Sequence, residues 1–315
     1  MNPETTGPEI FANAVQHVTF GPLSTFQNLS VVPLLSANEQ EVDYLTLDEA
    51  IAGGWARITE VSDEGQVPEL KIVAKGDKAV LLVDGEELVG AKQNRVLNLT
   101  ILVPAPSTTT IPVSCVESGR WHHRSRAFAS APRTQFAEGR AARVRQVTNS
   151  LLHAGHRRSD QGAVWELIAE KSARFQALSA TAAMSALFDK VEVSLAAFVA
   201  AFPPVEHQVG AVFLINGQPA GLELFDAAST WRKLSPKLVR SYAVDALDQP
   251  GDAAVPQAPV DLPGAFASAV ASSPVSAFPA AGEGEDVRLT GPGIAGAALV
   301  ARGRAVHVSA FPQHA

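Results

Sequence analysis

The chain has a single cysteine, Cys115, among its 315 residues, so it cannot form an internal disulfide bond. It has no apolar run of the length that a membrane span needs, and its N-terminus, MNPETTGPEI, lacks the basic and apolar regions of a signal peptide. These absences argue against a disulfide-stabilised scaffold and against a membrane protein. We therefore expect a cytoplasmic location.

Familiar catalytic and nucleotide-binding signatures are also absent. The sequence contains no GxGxxG between a strand and a helix, no GxxxxGK[ST], no HExxH and no GxSxG. The adjacent His122 and His123 lack a spacing typical of metal ligands, because neighbouring side chains on a strand point apart. The sequence therefore names neither a reaction nor a cofactor, and we expect no metal site.

The composition that remains is ordinary for a soluble globular protein, at 46% hydrophobic and 18% charged residues. Alanine richness and 17 arginines against 8 lysines indicate a bacterial source with a GC-rich genome. We therefore interpret the chain as a bacterial protein.

The charge is distributed unevenly along the chain. Residues 119–158 hold nine arginines, no lysine and one acid, Glu138, so this window carries +8 and the remainder −15 within a total of −7. Such a cluster suits bidentate recognition of phosphate or carboxylate, or it is a solvated helix face. Because aromatic residues do not alternate regularly with the arginines of this window and the remainder is acidic, we do not expect nucleic acid as a partner.

Strand signals recur along the N-terminal half, separated by turns rich in Asp and Gly. After one or two strands within 15–36 and a short helix, LTLDEAIAGG, capped by Thr46 or Asp48, we predict strands at 56–61, 70–74, 79–83, 96–103 and 110–116. This spacing predicts an α+β fold with an antiparallel or mixed β core, sandwich-like in its N-terminal half.

The C-terminal half begins with helical patterns over roughly 134–202. Asp160 is predicted to cap one helix, and an apolar stripe from Met184 to Phe202 predicts the buried face of another. VFLINGQPAGLELF then predicts a β-hairpin with a type I′ turn, with Pro219 marking a sheet edge or a bulge. The predicted organisation is a flexible tail over 1–12 and one domain over 13–312: β-rich 15–121, helical 134–202, β/α 206–247, loop-rich 249–285 and a terminal hairpin over 296–311.

The most informative stretch, residues 81–121, places ligand-grade polar side chains inside apolar, strand-like sequence. Polar groups close to a core need partners, so this stretch predicts a site. The candidate residues are Glu86, Glu87, Lys92, Gln93, Asn94, Arg95, Asn98, Cys115, Glu117, Arg120 and Trp121.

Two interpretations of this block stay open. If residues 89–97 were extended, Lys92 and Asn94 would face one side and Gln93 and Arg95 the other, so that one pair would look toward a buried layer. Nearby acids could then neutralise the cations in a purely structural lattice. Alternatively, the same groups form the floor of a polar pocket for an anionic ligand, since the flanking glycines allow close backbone approach.

Two single residues have simpler interpretations. Cys115 is expected to be a small buried hydrophobe, because a catalytic thiolate would need a histidine base within hydrogen-bond reach. His307, flanked by valines in a terminal strand, is predicted to be a hydrogen-bonded core histidine.

Five segments, DGEELVGAKQNRVLN, ILVPA, IPVSCVESGRW, INGQPAGLELF and VHVSAF, together resemble the bacterial ADP-ribosylglycohydrolase- and rhodanese/phosphatase-associated domain family. The resemblance runs from about Val15 to Phe311. The family is named for neighbourhood or fusion with ADP-ribose-processing and phosphatase-like enzymes. This implies a role near ADP-ribose or nicotinamide dinucleotide metabolism and an association with such enzymes, but it assigns no catalytic residue. His122 and His123 depart from the continuation expected after Trp121.

Three functions follow as hypotheses. The first is binding of a phosphate-bearing, anionic small molecule of the ADP-ribose or nucleotide type. In this hypothesis the lysine and arginine side chains contact the phosphates, the Asn and Gln side chains contact ribose or base edges, and the indole of Trp121 stacks on the ligand. The second is a hydrolase or transferase with Glu86, Glu87 or Glu117 as general base. The third is a scaffold without catalysis. The residues assigned to the ligand are Glu86, Lys92, Gln93, Asn94, Arg95, Asn98, Arg120 and Trp121.

Overall fold

The computed structural model describes residues 5–37, 40–62, 65, 67–250 and 261–313. The chain divides into two compact units. We call residues 43–197 the barrel unit, and residues 1–42 together with 198–315 the sheet unit. The single domain over 13–312 that the sequence indicates stays a prediction.

Helices and strands are both abundant, which confirms the predicted α+β class. The helices are α1 (Gly7–Gln16), α2 (Leu47–Ala52), α3 (Ala137–Ala154), α4 (Gln161–Arg174), α5 (Ser185–Lys190), α6 (Glu192–Ala201), α7 (Ala228–Asp248) and α8 (Leu262–Ala271). The strands are β1 (Thr19–Phe20), β2 (Ser24–Phe26), β3 (Leu29–Leu35), β4 (Tyr44–Thr46), β5 (Ala56–Glu60), β6 (Glu69–Ala74), β7 (Ala79–Leu82), β8 (Glu86–Gly90), β9 (Arg95–Leu97), β10 (Ile101–Val103), β11 (Ser107–Cys115), β12 (Phe128–Thr134), β13 (Gln208–Ile215), β14 (Gln218–Phe225), β15 (Val275–Pro279), β16 (Glu285–Leu289), β17 (Ile294–Ala301) and β18 (Arg304–Pro312). No helix in the described part of the chain is long and apolar enough to cross a membrane.

The sheet unit consists of one antiparallel sheet with helices on both faces. Its described strands follow the order β1-β3-β13-β14-β18-β17-β16-β15, and β2 pairs with β3 beside β1. Val212 belongs to the core cluster that contains Phe11 of α1 and Phe266 of α8. Its neighbour Phe213 instead stacks on Tyr242 of α7, with ring centroids 3.9 Å apart. Because successive strand residues face opposite sides, α7 covers one face and α1 with α8 the other.

The flexible tail predicted over 1–12 is wrong from residue 7 onward, where α1 begins. Thr6 and Glu9 form a capping box, in which the Thr6 amide donates to Glu9 Oε2 at 2.8 Å. This hydrogen bond lowers the pKa of Glu9. The helix then buries Phe11 and Val15 in the core of the sheet unit. The capping residues are visible in the sequence, but the polar and proline residues around them made this short amphipathic helix look like a flexible tail.

The predicted hairpin is confirmed, with Asn216 and Gly217 at φ 51° and 75° between β13 and β14. The register shifts where Leu214 pairs with Pro219, so Pro219 marks the predicted bulge. The loop-rich segment predicted over 249–285 is partly wrong, because β15 and the first residue of β16 fall inside it. Helix α8 also lies within this segment, and residues 251–260 lie outside the described part of the chain.

The barrel unit closes its described strands into a barrel in the order β11-β6-β5-β12-β8-β9, beside a sheet of β10, β7 and β4. The N-terminal strands are therefore not sandwich-like. Strand β12, which the sequence did not indicate, explains the difference because it pairs with both β5 and β8 and so closes the sheet on itself. The strand predicted over 96–103 is two strands, β9 and β10, in different sheets.

Capping residues in the sequence correctly indicated where α2 and α4 begin. Thr46 accepts a hydrogen bond from the Glu49 amide at the start of α2, and Asp160 accepts one from the Ala163 amide at the start of α4. The apolar stripe from Met184 to Phe202 lies on two helices, α5 and α6, and not on one.

Candidate functional site

Residues 91–94 form the turn between β8 and β9, which pair antiparallel. The chain reverses at Gly90 and Ala91, whose φ angles are 133° and 36°. Glycine is required at position 90, because a Cβ there would lie 2.6 Å from Ser125 Oγ. An extended strand over 89–97 is therefore wrong, and Lys92 to Asn94 lie together at one end of a hairpin.

Arg120 ties this turn to the segment after β11. Its Nη1 donates to the Ala91 carbonyl at 2.6 Å, and its Nη2 donates to Asn94 Oδ1 at 3.1 Å and to Glu117 Oε2 at 2.6 Å. The ion pair between Arg120 and Glu117 is buried, with both side chains at most 1% exposed. Removing either partner would leave a buried charge without compensation.

Glu117 has hydrogen-bond donors on both carboxylate oxygens. Besides Arg120, the Asn94 amide donates to its Oε2 at 3.1 Å, and Thr181 Oγ1 donates to its Oε1 at 2.8 Å. Burial raises the pKa of Glu117, but these hydrogen bonds outweigh burial and hold the pKa below its ordinary value. A carboxylate occupied in this way is a weak base.

Glu87 is the other acid at the centre of the cluster. Its Oε2 accepts from Arg133 Nε at 2.6 Å, and its Oε1 accepts from Asn94 Nδ2 at 3.3 Å. Burial raises the pKa of Glu87 above its ordinary value and exceeds the opposing effect of Arg133. Asn94 therefore bridges Glu87 and Glu117, two of the three carboxylates predicted as general bases.

Cys115 is buried, as the sequence predicts. Its thiol lies 3.1 Å from Gln93 Oε1, and burial raises the thiol pKa more than the nearby Arg95 lowers it. A hydrogen bond from Trp165 also lowers that pKa. A thiol held in its neutral form is a poor nucleophile.

Arg95 is the least satisfied cation of the cluster. Its side chain is fully buried, and Nη1 donates to Gln93 Oε1 at 3.0 Å. Its Nε and Nη2 have no hydrogen-bond partner in the described part of the protein. Burial lowers the pKa of this guanidinium, partly offset by Cys115 and by Glu60. Two nitrogens of a buried charged group thus lack a compensating acceptor among the described residues.

The two predicted cations, Lys92 and Arg95, both contact the exposed ring of Trp121. Lys92 Nζ lies 5.4 Å and Arg95 Cζ 5.8 Å from the centre of the Trp121 ring. Trp121 is 48% exposed, whereas Lys92 is half-buried. We call Lys92, Arg95 and Trp121 the Trp121 mouth.

The structure places two of the assigned residues elsewhere. Asn98 Nδ2 donates to the Arg157 carbonyl at 3.1 Å, and its Oδ1 accepts from Ser114 at 2.5 Å. Glu86 Oε2 accepts from the Val83 amide at 2.8 Å. Both side chains are buried and hold loops of the barrel unit in place.

Sequence reasoning missed three residues that complete the cluster. Arg133 and Thr181 hold the two central carboxylates, and Glu60 Oε1 lies 3.4 Å from the Lys92 amide. Glu60 could have been found, because it continues the inward alternation of Ala56 and Ile58 on β5. Thr181 carries no comparable local signal, since it lies in an irregular segment.

The arginine-rich window does not form a uniform solvated face. Arg140 and Arg143 on α3 are fully buried beside Asp84, with Arg140 Nε 3.2 Å and Arg143 Nη2 2.7 Å from its carboxylate oxygens. Arg124 and Arg126 are exposed. The window therefore combines buried structural arginines with a basic surface.

The sheet unit holds a separate buried polar group around His307. His307 Nε2 lies 3.1 Å from Glu223 Oε2, and the Tyr242 hydroxyl donates to Glu223 Oε1 at 2.9 Å. The imidazole stacks on Phe225, with centroids 4.4 Å apart. His307 is thus the hydrogen-bonded core histidine that the sequence predicts.

The fold and this cluster define an α+β protein whose barrel unit carries a buried polar network that reaches the surface at one tryptophan. The chain belongs to the family of the ARG and Rhodanese-Phosphatase-superfamily-associated Protein domain, whose model matches residues 17–311. This confirms the family indicated by the sequence motifs. The family description associates the domain with ARG and rhodanese-phosphatase superfamily proteins. None of the curated proteins matches the chain, and none of the solved structures does.

Proposed function

We propose that the barrel unit binds a phosphate-bearing small molecule of the ADP-ribose or nucleotide type at the Trp121 mouth. The observation that carries this proposal is the fully buried guanidinium of Arg95, with two nitrogens that have no partner in the described residues. Donors of a buried charged group that stay unsatisfied cost free energy, and a phosphate oxygen satisfies them. The planar guanidinium fork matches phosphate oxygens in pairs.

The other two residues of the mouth suit the remainder of such a ligand. Lys92 supplies a second cation beside the same ring, and the half-exposed indole of Trp121 offers a face on which a base can stack. Because the ring lies over Arg95, a ligand that reaches the guanidinium displaces the ring. The family's association with ARG proteins favours ADP-ribose within this ligand class.

Calorimetric titration with ADP-ribose, AMP and the oxidised nicotinamide dinucleotide tests the proposal. We expect Arg95→Ala to weaken the binding of the tightest ligand by about tenfold to a hundredfold, because it removes charge-assisted hydrogen bonds. Arg145→Ala, which removes an exposed arginine of α3, is the matched control and should bind like the wild type.

A second variant protects this test against misfolding, since Arg95 is buried. Trp121→Ala changes an exposed side chain and should keep the thermal unfolding midpoint while it weakens nucleotide binding. Wild-type affinity in both Arg95→Ala and Trp121→Ala would overturn the proposed site. Absence of binding to all three ligands would instead favour the scaffold hypothesis.

One observation favours the hydrolase or transferase alternative. The raised pKa of Glu87 is a property of general bases, whereas Glu117, with its lowered pKa and occupied oxygens, does not fit that role. Product analysis of the same titration mixtures tests the alternative. Turnover that disappears in Glu87→Gln while ligand affinity is kept would favour the enzyme alternative. Mixtures in which no product forms would contradict this alternative and leave ligand binding as the only proposed function.

A further inference from the structure

We infer that the Trp121 mouth receives one nucleotide of a single-stranded nucleic acid, and that the loop after it holds the neighbouring phosphates. We call this loop, residues 122–126, the basic loop. The inference rests on the proposed function, because it uses the same mouth and extends the ligand beyond a single nucleotide.

The basic loop is a concentrated set of exposed cationic and hydrogen-bonding side chains. Its sequence is HHRSR, and His122, His123, Arg124 and Arg126 are all exposed. It contains no acidic residue, in a chain whose net charge is −7. A small ligand with one or two phosphates at Arg95 leaves most of these side chains without a phosphate, so they fit a ligand with a longer backbone.

Hydrogen bonds hold the basic loop beside the turn that carries Lys92. The Arg124 amide donates to the Ala91 carbonyl at 3.0 Å, and the Ala91 amide donates to Ser125 Oγ at 3.0 Å. Arg120 Nη1 also donates to the His122 carbonyl at 3.1 Å. The loop cations and the mouth are therefore fixed as neighbours before any ligand arrives.

The aromatic residue at the start of the loop favours single-stranded nucleic acid over other polyanions. Single strands bind where exposed aromatic side chains stack on bases while cations follow the phosphates. The sequence argued against nucleic acid because aromatic residues do not alternate regularly with the arginines. Trp121, exposed directly before HHRSR, nevertheless places one aromatic side chain beside the cations of the loop. An acidic peptide has no bases to stack on it.

Fluorescence anisotropy with labelled single-stranded RNA and DNA of about ten nucleotides tests the inference. The test variant is Arg124→Gln with Arg126→Gln, which leaves the backbone hydrogen bond of Arg124 intact. Its matched control, Arg145→Gln with Arg158→Gln, removes the same charge from exposed arginines elsewhere in the barrel unit. We expect the test variant to lose about tenfold or more in affinity and to flatten the dependence of log affinity on log salt by about 1.4, at roughly 0.7 per phosphate contact. Trp121→Ala should lose about tenfold through stacking.

Separate results decide the inference and the proposed function. Loss of oligonucleotide binding in the test variant, with AMP affinity unchanged, supports the inference. AMP binding without tighter binding of the oligonucleotide overturns it and leaves the proposed function standing. Equal losses in the test and control variants, or equally tight binding of polyglutamate, also overturn it. If the oligonucleotide binds through the basic loop and no mononucleotide binds, the result supports the role of the basic loop and overturns the proposed small-molecule function.

Discussion

Replacing Arg120 with alanine is expected to destabilise the barrel unit by about 3–5 kcal/mol, the cost of leaving a buried charge without its partner. The guanidinium has five acceptors, namely the carbonyls of Gly90, Ala91 and His122, Asn94 Oδ1 and Glu117 Oε2. Its loss leaves Glu117 buried and frees the turn after β8. Denaturant unfolding followed by tryptophan fluorescence measures the effect, since Trp55, Trp121 and Trp165 all lie in the barrel unit.

The pH dependence of this variant separates the ion pair from the backbone contacts. The pKa of folded Glu117 is lowered, so its ionised form stabilises the fold above the ordinary pKa of 4.5, and this contribution is lost as pH falls through the folded value. In Arg120→Ala the buried, ionised carboxylate of Glu117 destabilises the fold near neutral pH, and protonation removes most of this cost. The stability difference from the wild type should therefore narrow as pH falls, first through the raised pKa of Glu117 in the variant and then through its lowered pKa in the wild type.

Two results would contradict this account of Arg120. A difference that stays constant with pH would mean that only the backbone hydrogen bonds matter. A loss no larger than that of the exposed control Arg145→Ala, expected within about 0.5 kcal/mol, would mean that the ion pair contributes nothing.

Features set by near neighbours in the chain were predictable from the sequence. The capping residues Thr46 and Asp160 act on amides three residues away, and the turn at Asn216 and Gly217 needs only its own two backbone conformations. His307 and Cys115 were predictable for a related reason, because an apolar strand pattern around a single polar residue indicates burial.

Strands that depend on distant partners were missed. Strand β12, FASAPRT, contains a proline, a serine and an arginine, and its identity as a strand comes from pairing with β5 and β8. Strand β15 lies at the end of the described sheet order and pairs with β16, so its mixed composition meets few local constraints. Closure of the barrel follows from such long-range pairing and could not be deduced from periodicity.

The sequence indicated where the candidate site lies, but it did not indicate that some of its polar groups are saturated by partners while others are not. The block around 86–121 indicates polar groups near a core, yet the reversal at Gly90 and Ala91 decides which of them meet. Glu117 is saturated by Thr181, 64 residues away along the chain, whereas Arg95 keeps two nitrogens without partners in the described residues. The structural-lattice interpretation therefore describes Glu117 and its partners, whereas the pocket-floor interpretation stays a prediction for Arg95.

Removing Asp84 is expected to cost at least about 3–5 kcal/mol, because its carboxylate contacts two fully buried arginines. Arg143 Nε and Nη1 have no hydrogen-bond partner among the described residues, and burial lowers the pKa of this guanidinium, with Asp84 as the charge that opposes the shift. Denaturant unfolding of Asp84→Ala measures the loss. Glu170→Ala on α4, which removes one exposed acid of the barrel unit, is the control for charge alone.

Replacing Asp84 alone and replacing Arg143 alone should have very different effects on stability. Arg143→Met exchanges a costly buried cation for an apolar side chain of similar length and leaves Asp84 with Arg140, so we expect little loss of stability. The double variant Asp84→Ala with Arg143→Met should then be more stable than Asp84→Ala by about 1–3 kcal/mol, because one of the stranded charges has been removed. A double variant as unstable as the sum of the two single losses would contradict the pairing, because the losses of independent residues add, whereas those of two oppositely charged groups in contact do not.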